Sequence, residues 1–270
     1  MTPIALVAFD LDDTLYPERA FIRSGFRAVS DYLQRERLVR RPLWPDLEAG
    51  FEAGVRDHAF DRALAAAGVT PTPPLIQTLV EIYRTRRLPD GRTTLDIRLY
   101  EDADRALTDL RRAGLRLGLV SDGPLAAQEA KVRALDLESR LDALLLTDAW
   151  GADFWKPSPR AFAEMARRLA VEPRACLYVA DNPEKDFDGP AAAGWAPSVR
   201  VRRPDGLYRD AIFAAAGGRS GRGQSPSAVR GTVPFSDAPP ALAATIADLG
   251  GLAAVLDRLR TEKEDCPPAP

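Results

Sequence analysis

The chain has 270 residues, with 37 Lys and Arg against 39 Asp and Glu, which gives a formal net charge of −2. This length predicts one or two domains, and the near-neutral charge argues against a dedicated nucleic-acid-binding protein, which normally carries a basic excess. Two cysteines cannot form a disulfide framework, and the single histidine, His58, excludes a multi-histidine metal site. No apolar run reaches the ~20 residues of a membrane span, and the apolar start of the chain lacks the basic region of a secretory signal. We therefore expect a cytoplasmic protein without a membrane or nucleic-acid partner.

Five short apolar runs, rich in Val, Leu and Ile, are predicted to be strands buried on both faces. They cover residues 4–9, 115–120, 144–146, 175–180 and 198–201. The amphipathic stretches between them, at residues 103–113, 125–135 and 160–169, are predicted to be helices. Strands and helices that alternate in this way indicate a parallel sheet with right-handed crossovers, and therefore an α/β fold.

Residues 17–98 interrupt this alternation. They contain three helical stretches, at residues 18–37, 45–67 and 74–87, and no convincing strand. We interpret them as a helical domain inserted after the first strand, with residues 1–16 and 99–270 forming the α/β core.

A second irregular region, residues 217–240, is dominated by Gly, Ser, Pro and Arg and has little to bury. We predict a flexible insertion here, in preference to a basic tract that contacts an anionic partner. The chain then resumes over residues 242–259 with a short strand and a last helix.

The strongest chemical signal is the run FDLDDT at residues 9–14, directly after the first strand. Alternation along a strand places Asp10 and Asp12 on the same side, where two carboxylates repel unless a cation lies between them. Carboxylates beside a phosphorylated substrate suit Mg²⁺, and the carboxyl end of a parallel strand is where open α/β sheets bind ligands. The alternative is an Asp-rich turn in which Thr14 caps the following segment.

Two further strand ends carry groups that suit phosphate binding. Ser121 and Asp122 end the second strand, where a hydroxyl and the N–H groups of a helix start can hold phosphate oxygens. Lys156 lies in the run WKPSP, beside a predicted helix N-terminus that faces the same anion. The alternatives are that Ser121 or Asp122 only caps the helix and that Lys156 is a solvated surface residue.

The fourth strand runs into DNPEKDF at residues 181–187. Asp181 and Asp186 lie five residues apart across a turn that Asn182 begins, so both carboxylates can reach one metal ion. Glu184 and Lys185 are interpreted as solvated turn residues.

These four motifs, in this order and each at the end of a predicted strand, resemble those of the haloacid dehalogenase-like (HAD) hydrolase superfamily. The resemblance covers residues 4–16 and 100–205, and residues 15–98 look like the α-helical cap that these enzymes insert after their first motif. It implies a Rossmann-like three-layer α/β core whose parallel sheet has the strand order 3-2-1-4-5.

The resemblance also implies a role for each motif. Asp10 would be the nucleophile that forms an aspartyl-phosphate, Asp12 the general acid and then base, and Lys156 the cation that holds both the nucleophile and the phosphoryl group. The residues implied to bind phosphate are Thr14, Ser121, Asp122 and Lys156. The residues implied to bind Mg²⁺ are Asp10, Asp12 through its backbone carbonyl, Asp181 and Asp186.

Asp12 bears on the reaction as well, because family members that resemble true dehalogenases lack a carboxylate two residues after the nucleophile and need no metal. We therefore expect an Mg²⁺-dependent phosphomonoester hydrolase that acts on a small phosphometabolite. The DNPEKD form of the fourth motif and the helical cap resemble members that hydrolyse nucleoside monophosphates or sugar phosphates. The alternatives are a non-catalytic binding or regulatory protein on the same fold, and a phosphotransferase or mutase.

Two groups of side chains in or next to the cap have two interpretations each. Arg84, Arg86 and Arg87 either recognise a second anionic group of the substrate or end a helix in solvent, and we favour the solvated helix end. Tyr16, Phe21 and Phe26 either line the substrate pocket or pack the cap, and we favour packing.

Overall fold

The computed structural model describes residues 3–212 and 242–261. The predicted flexible insertion at residues 217–240 lies outside the described residues. No helix within the two described segments is long and apolar enough to cross a membrane.

The centre of the molecule is a parallel sheet of six strands in the order β3-β2-β1-β4-β5-β6. The strands are β1 (Leu6–Phe9), β2 (Arg116–Ser121), β3 (Ala143–Leu146), β4 (Cys176–Ala180), β5 (Ser198–Val201) and β6 (Leu242–Ile246). This arrangement confirms the predicted α/β fold and the predicted order of the first five strands, and it adds β6 at the edge of the sheet beside β5.

The strand register determines which side chains can meet. Phe9, the last residue of β1, lies opposite Leu119 of β2 and Val179 of β4. The next residue, Asp10, donates its backbone N–H to the carbonyl of Val179 at 2.9 Å. Asp10 therefore leaves the sheet between Ser121, which ends β2, and Asp181, which follows β4.

Five helices lie between β1 and β2 in the chain, and the first four belong to residues 17–98: α1 (Glu18–Arg35), α2 (Trp44–Glu52), α3 (Ala59–Ala66) and α4 (Pro73–Thr85). The apolar residues Ile22, Phe26, Val29 and Leu33 recur every three or four positions along α1 and therefore form one stripe. This stripe packs with Leu64 of α3 and Leu79 of α4 in an apolar cluster of its own. We propose that residues 17–98 form a cap on the core.

The prediction of one helix over residues 45–67 is wrong, because α2 and α3 are separate helices. Gly54 and His58, between them, both have positive φ angles, of 86° and 54°, which an α-helix cannot accommodate.

The remaining helices are α5 (Glu101–Arg112), α6 (Leu125–Ala134), α7 (Leu137–Arg140), α8 (Arg160–Leu169), α9 (Asp188–Ala192) and α10 (Leu252–Thr261). They cover both faces of the sheet. On β1, Val7 and Phe9 join the apolar cluster that includes α5, α6 and α10, whereas Leu6 and Ala8 join the cluster that includes α8. Alternate side chains of the central strand thus face opposite layers, as a three-layer α/β fold requires.

Candidate active site

The carboxyl ends of β1, β2 and β4 bring charged side chains together in the interior. Asp10 is 5% exposed, and the Lys156 side chain is fully buried. The Lys156 Nζ lies 2.5 Å from Asp10 Oδ1, 2.7 Å from Asp186 Oδ1 and 3.2 Å from the hydroxyl of Tyr178. Because two carboxylates face it, the pKa of the Lys156 ammonium is raised well above its usual value even though burial acts to lower it. Lys156 is therefore a permanent cation beside Asp10, and the reading of it as a solvated surface residue is wrong.

Three buried carboxylates converge at this point. Asp10, Asp181 and Asp186 each offer an oxygen, and these oxygens all lie within 4.8 Å of one another. Burial, together with the charges of Asp186 and Asp12, raises the pKa of Asp10 to about 6 against the opposing effect of Lys156. Burial and the charges of Asp10 and Asp186 raise the pKa of Asp181 well above its usual value. Three carboxylates thus share one small buried site, and their oxygens are the ligands that a hard metal cation prefers.

The side chain of Asp12 is not part of this cluster. Its two oxygens lie 2.7 and 2.9 Å from the Nζ of Lys131, and they also accept hydrogen bonds from the Tyr16 hydroxyl and, at 3.3 Å, from Gln128 Nε2. Burial acts to raise the pKa of Asp12, but these donors outweigh it and hold that pKa below its usual value. Of the four residues predicted to bind metal, the structure brings together the side chains of Asp10, Asp181 and Asp186, which leaves Asp12 only its backbone carbonyl for that purpose.

Ser121 and Asp122 occupy different positions at the end of β2. The Ser121 hydroxyl is buried and accepts a hydrogen bond from Gln128 Nε2 at 3.1 Å. The Asp122 carboxylate accepts hydrogen bonds from the Thr147 hydroxyl at 2.6 Å and from the backbone N–H of Lys156 at 3.1 Å. Neither side chain caps α6, which begins after Pro124, so the capping interpretation is wrong. Asp122 instead connects the strand end to the backbone of Lys156.

Thr14 lies fully buried, and its Oγ1 has no hydrogen-bond partner among the described residues. The backbone carbonyl of Thr14 accepts a hydrogen bond from Arg203 at 2.8 Å. A buried hydroxyl without a partner retains its capacity to bind a ligand oxygen, and the phosphate-binding role of Thr14 stays a prediction.

Sequence reasoning missed two of the residues that surround Asp12. Gln128 and Lys131 lie three positions apart on α6, so they share one face of the helix, and they are 1% and 5% exposed. Two long polar side chains on the buried face of a helix were the available signal. Their partner Asp12 lies 119 positions before Lys131, and nothing in the local sequence pairs them.

The three cap arginines do not form a common site. Arg86 is fully buried, whereas Arg84 and Arg87 are exposed. The Arg86 guanidinium donates to the backbone carbonyl of Phe21 and, at 2.8 Å, to the Ser24 hydroxyl, and it lies 3.7 Å from the centre of the Phe21 ring. The prediction of a solvated helix end is therefore wrong for Arg86, which connects the end of α4 to α1.

A family model described as haloacid dehalogenase-like hydrolase matches residues 4–194. The chain belongs to this family. It is 31% identical over 213 residues to the glyceraldehyde 3-phosphate phosphatase of Methanopyrus kandleri, an alignment that covers 77% of this chain and 87% of that protein. It is also 31% identical over 222 residues to the N-acylneuraminate-9-phosphatase of Rattus norvegicus, covering 77% of this chain and 86% of that protein.

Among solved structures, the HAD fold is shared with the 2-haloacid dehalogenase of Pseudomonas syringae. The TM-score is 0.55 at 23% sequence identity, and the match covers 95% of this chain and 99% of that one. Because this likeness establishes the fold alone, the reaction has to be inferred from the residues of the site.

Proposed function

We propose that this HAD family member is an Mg²⁺-dependent phosphomonoester hydrolase that forms an aspartyl-phosphate on Asp10. The observation that supports this proposal most directly is the pair of carboxylates, Asp10 and Asp12, with different surroundings. Asp10 lies against Lys156 in a cluster of carboxylates, whereas Asp12 is surrounded by Lys131, Tyr16 and Gln128. Separate surroundings give two neighbouring carboxylates separate tasks.

Asp10, Asp181 and Asp186, with the backbone carbonyl of Asp12, would hold the Mg²⁺ ion. When bound, the ion neutralises negative charge on the nucleophile and on the phosphoryl oxygens. Lys156 supplies a second positive charge at Asp10, which lowers the repulsion between the carboxylate and an incoming phosphate anion.

In the first step, a carboxylate oxygen of Asp10 attacks the phosphorus atom, and the bond from phosphorus to the leaving oxygen breaks. Asp12 donates a proton to that oxygen, which leaves as an alcohol. A phosphate dianion beside Asp12 favours its protonated form, since like charges disfavour ionisation.

In the second step, water attacks the phosphorus of the aspartyl-phosphate, Asp12 accepts the water proton, and Asp10 is released as a carboxylate. The lowered pKa of Asp12 suits this step, because only the ionised form can accept the proton.

We propose a small phosphorylated carbohydrate as the substrate class. Of the two predicted classes, nucleoside monophosphates and sugar phosphates, the second is supported by the relatives, which are named for glyceraldehyde 3-phosphate and N-acylneuraminate 9-phosphate. A helical cap next to the site is consistent with a small substrate that is enclosed during the reaction.

The test is phosphate release from p-nitrophenyl phosphate and from a panel of sugar phosphates and nucleoside monophosphates, with Mg²⁺ and with EDTA. Wild type is compared with Asp10→Asn and with a control, Asp153→Asn, which changes an exposed aspartate in the segment between β3 and α8. We expect Mg²⁺-dependent release that Asp10→Asn abolishes and that the control retains. Full activity of Asp10→Asn would contradict the mechanism, and phosphate release that requires an added acceptor alcohol would indicate a phosphotransferase instead.

A further inference from the structure

Lys131 is a buried lysine whose only close anionic partner in the described part of the chain is Asp12. It lies on α6, its side chain is 6% exposed, and its Nζ is 2.7 Å from Oδ1 and 2.9 Å from Oδ2 of Asp12. It therefore holds both oxygens of the carboxylate and restricts rotation of the Asp12 side chain.

The ammonium group of Lys131 has a carboxylate on one side and an aromatic ring on another. An ammonium group has three N–H donors, and two of them are directed to the oxygens of Asp12. On another side, the Nζ lies 4.4 Å from the centre of the Phe21 ring of α1, a cation–π distance. The contacts of Lys131 are therefore with the Asp12 carboxylate and with an aromatic ring, which points to an effect on the reaction through Asp12.

Two more donors restrict the same carboxylate. The Tyr16 hydroxyl donates to Oδ1 of Asp12, and Gln128 Nε2 lies 3.3 Å from Oδ2. The same Gln128 amide donates to the Ser121 hydroxyl and to the backbone carbonyl of Asp122, which fixes it to the end of β2. Asp12 is thus held by two residues of α6 and by Tyr16, which lies just before the proposed cap.

A buried ion pair is a poor way to stabilise a fold, because the desolvation of two charges offsets their attraction. Replacement of a buried ion pair by apolar residues of similar size is often neutral or stabilising. The arrangement is explained better by a requirement for a carboxylate with a fixed direction.

We propose that Lys131 is a positioning residue that orients the Asp12 carboxylate for proton transfer to the leaving oxygen of the substrate. This inference rests on the proposed function, since it assigns Asp12 the proton-transfer role. It does not assign Lys131 to the substrate or to the metal.

The test compares Lys131→Met with wild type on p-nitrophenyl phosphate and on the alkyl phosphate that wild type hydrolyses fastest. p-Nitrophenolate leaves without a proton, whereas an alkoxide needs one, and kcat/KM reports only the steps through the departure of the leaving group. We expect kcat/KM for the alkyl phosphate to fall by about 100-fold, which is the lower range of general acid catalysis, and that for p-nitrophenyl phosphate by less than about tenfold.

Three companion variants distinguish positioning from a loss of folding. Arg133→Met removes a cation from an exposed position of the same helix and should change neither value. Lys131→Arg retains a cation and should recover most of the alkyl phosphate activity. In an Asp12→Ala background, Lys131→Met should lower the alkyl phosphate kcat/KM no further, since the group that it aims is already absent.

If wild type is active and Lys131→Met loses kcat/KM by the same factor on both substrates, the role of Lys131 is overturned and the proposed function stays in place. The same holds if Lys131→Met lowers activity as much in the Asp12→Ala background as in wild type. Absence of Mg²⁺-dependent turnover by wild type would overturn the proposed function and this inference together.

Discussion

The carboxylate of Asp122 accepts a hydrogen bond from the backbone N–H of Lys156, at 3.2 Å to Oδ1 and 3.1 Å to Oδ2. Asp122 directly follows β2, whereas Lys156 lies in the segment between β3 and α8. The Thr147 hydroxyl, which donates to the same carboxylate at 2.6 Å, fixes the direction of the Asp122 side chain. Asp122 therefore helps to place the Lys156 ammonium beside Asp10, and it does so through the backbone of Lys156.

Asp122→Ala is expected to lower kcat by about 10- to 100-fold, because a displacement of about 1 Å at a reacting group can reduce the rate by that amount. Asp122→Asn retains an acceptor oxygen for the Lys156 N–H and should lose less. Steady-state kinetics on p-nitrophenyl phosphate with Mg²⁺ measures both, with Asp153→Ala as an exposed control. Unchanged kcat in Asp122→Ala, with the fold intact by circular dichroism, would show that Lys156 is held without Asp122.

Asp12→Ala is expected to reduce the phosphatase activity by at least about 100-fold, the lower range of acid–base catalysis. It should also lower the free energy of unfolding by about 3–5 kcal/mol, because Lys131 then remains buried without its anion. Adding Lys131→Met to Asp12→Ala removes that uncompensated charge and should recover part of the stability but none of the activity. Urea unfolding of the two single variants and the double variant tests this, and additive losses of stability would contradict it.

The raised pKa of Asp10, about 6, has a consequence for the stability of the metal-free protein. Burial is its main cause, and an unfolded aspartate has a pKa of about 3.9. The folded state thus binds this proton more tightly than the unfolded state. The stability that Asp10 contributes is fully present below about pH 4 and is lost as the pH rises through about 6.

Asp10→Asn mimics the neutral form and should therefore raise the Tm of the metal-free protein at pH 7, by about 2–4 °C for each kcal/mol gained. The difference in Tm from wild type should disappear near pH 4, where the wild-type carboxyl is also neutral. Mg²⁺ at pH 7 should raise the Tm of wild type more than that of Asp10→Asn, because the variant lacks one of the three converging carboxylates. Thermal scans with EDTA and with Mg²⁺ measure both effects, and a Tm of the variant below that of wild type with EDTA at pH 7 would contradict the argument.

The strands were accessible from the sequence because strands buried on both faces leave short apolar runs, and polar residues follow where each strand leaves the core. Asp10, Ser121 and Asp181 are such residues, and parallel strands place them at one edge. The strand order was predicted only from the resemblance to the HAD superfamily. The partners Lys131 and Gln128 of Asp12 were not accessible, because they reach it through tertiary packing of α6 against the segment that follows β1. Local patterns describe what a segment buries but not which segment covers it.

The same limit applies within the cap. Arg86 belongs to a run of charged residues that predicts solvent exposure, yet its guanidinium is enclosed by the rings of Phe21 and Tyr83. That enclosure depends on how α4 crosses α1, and the crossing in turn depends on the absence of a side chain at Gly25 of α1.

Gly25→Ala therefore provides a test of the cap packing. Glycine inside a helix is usually less stable than alanine by about 1 kcal/mol. At Gly25, however, the added Cβ would lie 2.5 Å from Cδ2 of Tyr83 and 2.7 Å from Cζ of Arg86, so we expect a net destabilisation of about 1–3 kcal/mol from overpacking. At Gly50 of α2, the matched control, the nearest atom is 3.8 Å away, and Gly50→Ala should stabilise by about 0.5–1 kcal/mol. Urea unfolding measures the change in the free energy of unfolding for both variants. Stabilisation by Gly25→Ala would show that α1 and α4 do not pack this closely.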